Sequence, residues 1–130
     1  MMSAAIGNVN RAMHRGVVQL VSTFLEDAGL PATPKPFLAR GSKISDALAA
    51  GLENGLDGDV RGLDGIYVNV TSRQDFRPWD DLDRARVGAD ITGKPVAAFC
   101  QWRSGRSVGD SLVVLSLTDF AKLLRSSSTP

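Results

Sequence analysis

The chain has 130 residues, of which 43% are hydrophobic and 22% are charged, and its formal net charge is +1. This composition is typical of a globular protein and excludes a mainly disordered chain. The charge balance lacks the strong basic excess that many dedicated DNA-binding proteins carry. The length fits one domain, so we expect residues 1–130 to form a single domain with terminal extensions at residues 1–8 and 126–130.

Several classes of protein and site are excluded by single observations. No apolar run approaches the roughly 18 residues that span a bilayer, and the N-terminus lacks the apolar stretch of a secretory signal. We therefore expect a protein that stays inside the cell and has no membrane partner. The single cysteine, Cys100, excludes an internal disulfide and a cysteine-rich zinc site. The single histidine, His14, leaves no second imidazole for a histidine-based triad or zinc centre.

The first half of the chain predicts two helices and a short strand. Apolar residues recur every three or four positions over residues 8–28, which indicates an amphipathic helix that ends at Gly29. Three prolines then favour extended backbone, with a short strand at residues 37–40. Residues 45–54 have the composition and N-cap of a short helix, inside an insertion of helix and loop that spans residues 41–57.

The clearest strand and the helix after it follow in the middle of the chain. Apolar and polar residues alternate over residues 66–71, which predicts a strand with one apolar face. Pro78 favours the first position of a helix over residues 79–92, and Gly93 ends it. We expect its buried stripe to consist of Trp79, Leu82, Ala85 or Arg86, and Ala89.

The last part of the chain predicts two buried strands and a helix. Residues 95–102 form a nearly continuous apolar run, which is typical of a central strand covered on both faces. Residues 112–117 predict a second buried strand, after which Thr118 caps a final helix. The order of elements therefore predicts an α/β protein with a mixed central sheet flanked by helices.

Polar residues gather around the strand at residues 66–71. Asp59 lies in a Gly-Asp-Val-Arg-Gly turn before that strand, and Asn69 and Thr71 project from one face of it. Because Asp favours turns through bonds from its side chain to nearby backbone, the simplest interpretation of Asp59 alone is structural. Asn69 and Thr71 are on their own ordinary strand residues that line a small polar cleft.

With these residues the chain resembles the Holliday-junction-resolvase-like branch of the PD-(D/E)XK nuclease superfamily, of the kind found in actinobacterial phages. The resemblance covers roughly residues 15–125 and depends on the order of elements and on four short segments. These are the turn around Asp59, Trp79 at the start of its helix, Gly109-Asp110 before the last strand, and the closing Leu-Thr-Asp-Phe-Ala-Lys-Leu-Leu. It implies a restriction-endonuclease-like core, and in active members two carboxylates that hold Mg²⁺ and a lysine that orients or activates the attacking water.

The catalytic positions that this resemblance assigns have mostly lost their charge. Asp59 matches the first Asp, Asn69 stands where the family has Glu, and Thr71 where it has Lys. Gln19 replaces a supporting Glu of the first helix. Mg²⁺ prefers anionic oxygen ligands, and Thr71 supplies no cationic nitrogen. We therefore expect a vestigial site with no metal and no cofactor; only a nuclease with an atypical site would use Mg²⁺, through Asp59.

The remaining candidate residues have simpler interpretations. We expect His14 on a solvated helix face, and Cys100 as a buried, inert thiol. The acidic cluster resembles a metal site in composition, but anions at the start of a helix stabilise it through the helix dipole. The cluster consists of Asp75, Asp80, Asp81 and Asp83, and the explanation applies to Asp80, Asp81 and Asp83, which we expect in the first turn of the helix.

The sequence predicts a function in protein contacts rather than in catalysis. The turn over residues 103–110 is a candidate interaction surface, because Arg103, Arg106 and Asp110 offer complementary charges. We expect a catalytically inactive nuclease-fold protein that serves as a structural component of a phage virion or its assembly, such as the head–tail region. Its terminal segments would then be held by protein neighbours. The alternatives are a DNA-binding module and a structure-selective, metal-dependent endonuclease with an atypical site.

Overall fold

The computed structural model describes residues 2–36 and 58–128, with side chains from residue 12 to residue 127. The predicted strand at residues 37–40 and the predicted helix at residues 45–54 lie outside these ranges. The elements in chain order are α1 (Met2–Asp27), β1 (Thr33–Pro34), β2 (Val60–Arg61), β3 (Ile66–Thr71), α2 (Pro78–Thr92), β4 (Val96–Gln101), a 3₁₀ turn (Val108–Asp110), β5 (Leu112–Val114) and α3 (Leu117–Ser128).

The five strands form one mixed sheet in the order β1-β2-β3-β4-β5. β3 and β4 are parallel, with Ile66 opposite Val96 and Thr71 opposite Gln101, while the other neighbours are antiparallel. α2 connects the two parallel strands, because parallel neighbours require a crossover between them. The predicted fold class, a mixed sheet flanked by helices, is therefore confirmed.

Helices cover the two faces of the sheet differently. On one face, valines of α1 pack against Val68, Val70 and Cys100. On the other face, Ala85 and Ala89 of α2 pack against the sheet with little side-chain bulk between them. All six residues of β4 are buried, which confirms the prediction of a central strand covered on both sides. None of the described helices combines the length and apolarity that a membrane span requires.

The boundaries of several elements differ from the sequence-based expectations. α1 begins at Met2 rather than near residue 8, because residues 2–7 include good helix formers and no proline. The segment around Asp59, expected to be a turn only, contains strand β2. Gly58 permits this pairing, since a Cβ there would collide with the backbone carbonyl of Val68. Gly93 adopts a φ of 72° and ends α2 as predicted.

Two predictions of burial are wrong. Trp79 is 77% exposed because the buried arc of α2 is centred on Asp81, Leu82, Ala85 and Ala89, and Trp79 lies outside this arc; Arg86 is exposed for the same reason. The last strand stops at Val114 and forms the sheet edge, where Leu112 and Val113 are 56% and 61% exposed. A strand at the edge has a neighbouring strand on one side only, so its side chains are less shielded from solvent than those of a central strand.

The cap of the last helix also differs from the expectation. α3 begins at Leu117, one residue before the predicted cap, Thr118. Ser116 is the capping residue, since its hydroxyl oxygen accepts a hydrogen bond of 3.1 Å from the backbone N–H of Asp119. Serine and threonine stand close together here, and either satisfies the capping pattern in the sequence.

Candidate functional site

A polar cleft of about 380 Å³ opens beside Asp59, between α1, β3 and α2. Three of the predicted site residues, Asp59, Asn69 and Thr71, line it together. Gln19 does not line it and is exposed on α1. The cleft is lined by His14, Lys35, Gly58, Asp59, Tyr67, Asn69, Val70, Thr71, Asp81 and Arg84.

Asp59 is held against β3 by a backbone hydrogen bond. Its Oδ2 accepts a bond of 2.7 Å from the N–H of Val70. β2 pairs with β3 at Val60 and Val68, so the Asp59 carboxylate continues the ladder past the end of the short strand. The burial of Asp59 therefore follows from its place next to β2, and the Gly-rich turn brings it there.

The other carboxylate oxygen of Asp59 faces two cationic or ionisable side chains. Its Oδ1 lies 2.8 Å from Nζ of Lys35 and 3.6 Å from Nε2 of His14. The side chains of Lys35 and Asp59 are only 12% and 10% exposed. Lys35 is fixed by its own backbone N–H, which donates to the carbonyl of Asp59 at 2.9 Å. This contact could not be predicted from the sequence, because it depends on the pairing of β1 with β2.

The partners of Asp59 keep it ionised despite its burial. Burial by itself raises the pKa of the Asp59 carboxyl. The hydrogen bond with His14, the charge and hydrogen bond of Lys35 and the amide of Val70 outweigh that effect, so the pKa lies below its usual value. His14 is half-buried and faces Asp59, which corrects the expectation that it lies on a solvated helix face.

The residues of the cleft do not fit a Mg²⁺ ion. Mg²⁺ requires a near-octahedral shell of hard oxygen ligands, usually with one or two free carboxylates. Both oxygens of Asp59 already have protein partners, and the ammonium group of Lys35 is placed 2.8 Å from one of them. Asn69 and Thr71 are neutral. Within residues 2–36 and 58–128, no group of three His, Cys, Asp or Glu side chains is arranged to hold a metal ion.

The second acid of the cleft, Asp81, is part of a separate ion pair. It is buried, and its Oδ2 lies 2.6 Å from Nη2 of Arg73. The guanidinium of Arg77 lies 2.6 Å from Asp75 and lowers the pKa of that carboxyl. Only Asp80 and Asp81 lie in the first turn of α2. The helix dipole therefore stabilises Asp80 and Asp81 but not Asp83, which was expected in the first turn. Asp75 and Asp81 are paired with arginines.

One cation of the cleft has no acid partner among the described residues. Arg84, on the exposed side of α2, forms no hydrogen bond or ion pair with any residue that the structure describes. The acids beside it are paired with Lys35, His14 and Arg73. The cleft therefore presents an unpaired positive charge together with the hydroxyl and amide groups of Tyr67, Asn69 and Thr71.

The three residues predicted to form an interaction surface share a second cavity, of about 320 Å³. Arg103, Arg106 and Asp110 line it with Phe76, Gln101 and Leu112. Arg103 donates a hydrogen bond to the carbonyl of Gln74 at 3.1 Å, and Trp102 Nε1 donates to the carbonyl of Arg106 at 2.7 Å. These bonds fix the shape of the turn and leave its charged side chains exposed.

An apolar groove of about 360 Å³, which the sequence analysis did not predict, lies between α2 and the start of α3. Trp79 and Leu117 flank it, and they are 77% and 82% exposed. The groove is lined by Pro78, Trp79, Leu82, Arg86, Val114, Leu115, Ser116 and Leu117. Periodicity could not indicate it, because an apolar residue at the edge of a stripe looks like a core residue in sequence.

Cys100 is a buried thiol, as predicted. It belongs to the core beneath α1, and burial raises its pKa to about 11. Such a thiol is protonated at neutral pH and is a poor nucleophile.

In comparisons with known proteins, no family model, no curated protein and no solved structure matches this chain.

Proposed function

We propose that this protein is a catalytically inactive nuclease-like domain that acts through protein contacts, as a structural or interaction component of a phage virion or its assembly. The observation that carries the loss of catalysis is the environment of Asp59. Its carboxylate, which the resemblance assigns to Mg²⁺, is instead bonded to Lys35 and to the amide of Val70, and His14 Nε2 lies 3.6 Å from it.

This arrangement argues against phosphodiester hydrolysis on charge grounds. A metal-dependent nuclease uses a dication to lower the pKa of water and to neutralise the charge that develops on the phosphate. Here the ammonium group of Lys35 lies 2.8 Å from the carboxylate of Asp59 and neutralises it. The other buried acid of the cleft, Asp81, is paired with Arg73. Asn69 and Thr71 add no charge, so neither a metal ligand pair nor a positioned lysine remains on β3.

A nuclease assay tests the loss of catalysis directly. The full chain and an Asp59→Ala variant, purified in parallel, are incubated with branched and linear DNA in Mg²⁺ or Mn²⁺. We expect no cleavage above background from either protein. Because the variant lacks the only acid that matches the family, it also measures contaminating nucleases. Cleavage by the natural chain that Asp59→Ala abolishes would refute the proposal.

Two surface properties support a role in protein contacts. Exposed tryptophan and leucine side chains beside an apolar groove are typical of binding surfaces, where a few large side chains supply most of the binding energy. The net charge of +1 gives no general attraction to nucleic acid. The assignment to a phage particle is supported by the sequence resemblance alone.

DNA binding without cleavage is a second candidate function, and the observation that favours it is Arg84. Its guanidinium lies at the cleft without an acid partner among the described residues, and such a group can contact a phosphate. A gel-shift series over increasing salt tests this role. Arg84→Ala should weaken binding, whereas Arg86→Ala, on the groove side of the same helix, is the matched control. Equal effects of the two variants, or no binding at all, would refute this candidate.

A further inference from the structure

We infer that the apolar groove between α2 and α3 is a homodimer interface, in which the apolar stripe of α3 from one copy fills the groove of a second copy. This inference deepens the proposed function, on which it rests, by naming the first protein partner as the same chain.

The apolar surface is continuous from the groove onto α3. Leu117 flanks the groove, and Phe120 and Leu124 follow it at helical spacing, so the three side chains form one stripe. Trp79 stands on the opposite side of the groove. Leu117, Phe120, Leu124 and Trp79 are 82%, 46%, 53% and 77% exposed, although each is a large apolar side chain.

The exposed area of these four residues matches what one partner contributes to a stable dimer. Together they expose on the order of 500 Å². A standard interface buries about 800 Å² per partner, and roughly 65% of a homodimer interface is apolar, which again amounts to about 500 Å². A smaller patch would suit only a transient contact.

A second copy fits because each copy carries both complementary surfaces. A two-fold axis places the α3 stripe of each chain over the groove of the other, so both contacts form at once, as in the commonest kind of homo-oligomer. The net charge of +1 adds little repulsion between copies.

The test is the mass of the full chain in solution across a range of concentrations, by sedimentation equilibrium or light scattering. We expect twice the chain mass at high concentration. Leu117→Asp and Trp79→Asp should each raise the dimer dissociation constant by roughly 30-fold or more, as expected for central interface residues. Both side chains are highly exposed, so the variants should fold, and circular dichroism verifies this.

Ile91→Asp is the matched control, since Ile91 is 73% exposed on the same helix but does not line the groove. It should leave the dimer unchanged. A chain that stays monomeric at all concentrations, a dimer insensitive to Leu117→Asp and Trp79→Asp, or a dimer that Ile91→Asp disrupts equally would each overturn the inference. A monomer without nuclease activity would refute this interface and leave the proposed function standing, whereas a monomer that cleaves DNA through Asp59 would refute both.

Discussion

Removing either member of the buried ion pair between Asp59 and Lys35 should strongly destabilise the protein, because the remaining charge is left buried without its partner. Asp59→Asn keeps the size of the side chain and an oxygen for the N–H of Val70, but it leaves the ammonium group of Lys35 in a site only 12% exposed. Removing one partner of a buried ion pair costs 3–5 kcal/mol, and we expect about 3 kcal/mol here because some exposure remains. Lys35→Met should cost about 2 kcal/mol, because His14 and Val70 still contact the carboxylate.

The double variant separates this electrostatic cost from a general packing defect. Asp59→Asn with Lys35→Met removes both charges, so its cost should fall below the sum of the single costs by about 2 kcal/mol. Urea unfolding followed by circular dichroism gives the free energy of each variant. Asp64→Asn, at an exposed loop position, is the control and should change stability by less than about 0.5 kcal/mol. A cost below about 1 kcal/mol for Asp59→Asn, or additive single costs, would refute the reasoning.

Three further predictions concern pH, packing and thiol chemistry. The folded pKa of Asp59 lies below its usual value of 3.8, so its stabilising contribution is present above that value and is lost as the pH falls through the folded pKa. Lowering the pH should therefore reduce the free energy of unfolding more for the natural chain than for Asp59→Asn. Equal losses would contradict this. Gly88→Ala should cost about 1–3 kcal/mol in urea unfolding because its Cβ would collide with the ring of Tyr67. In a Tyr67→Ala background this cost should largely disappear, and additive costs of the two substitutions would contradict the prediction. Cys100, with a pKa of about 11, should react with a thiol reagent at pH 8 far more slowly in the folded chain than in urea; rapid labelling of the folded chain would argue against its burial.

The elements that could be predicted from sequence are those with local signals at both ends. α2 begins at a proline and ends at a glycine with positive φ, and β3 and β4 have clear alternation and continuous apolarity. The exposure of Trp79 and of β5 could not be predicted, because the edge of a sheet and the rim of a helix depend on which neighbours are present. β2 is too short, at two residues, to leave a periodic signal.

Only part of the candidate site could be predicted from the sequence, because the rest depends on strand pairing. Asp59, Asn69 and Thr71 lie close in sequence, and strand alternation places the last two on one face, so their meeting in one cleft could be expected. His14 and Lys35 reach the same cleft from α1 and from the end of β1, and only the pairing of β1 with β2 brings Lys35 there. Gln19, which only the resemblance places in the site, lies on an exposed part of α1.

The charge balance of the cleft links these observations to the proposed function. A carboxylate that is 90% removed from water must be neutralised, and in a metal-dependent enzyme the ion itself does so. Here the side chain of Asp59 is 10% exposed, and Lys35 supplies the positive charge. Its ammonium group is bonded to that acid. A site balanced in this way needs no metal for its stability. On this proposal, what the chain keeps is a stable α/β scaffold, and its unsatisfied surface lies at Trp79 and Leu117 rather than at Asp59.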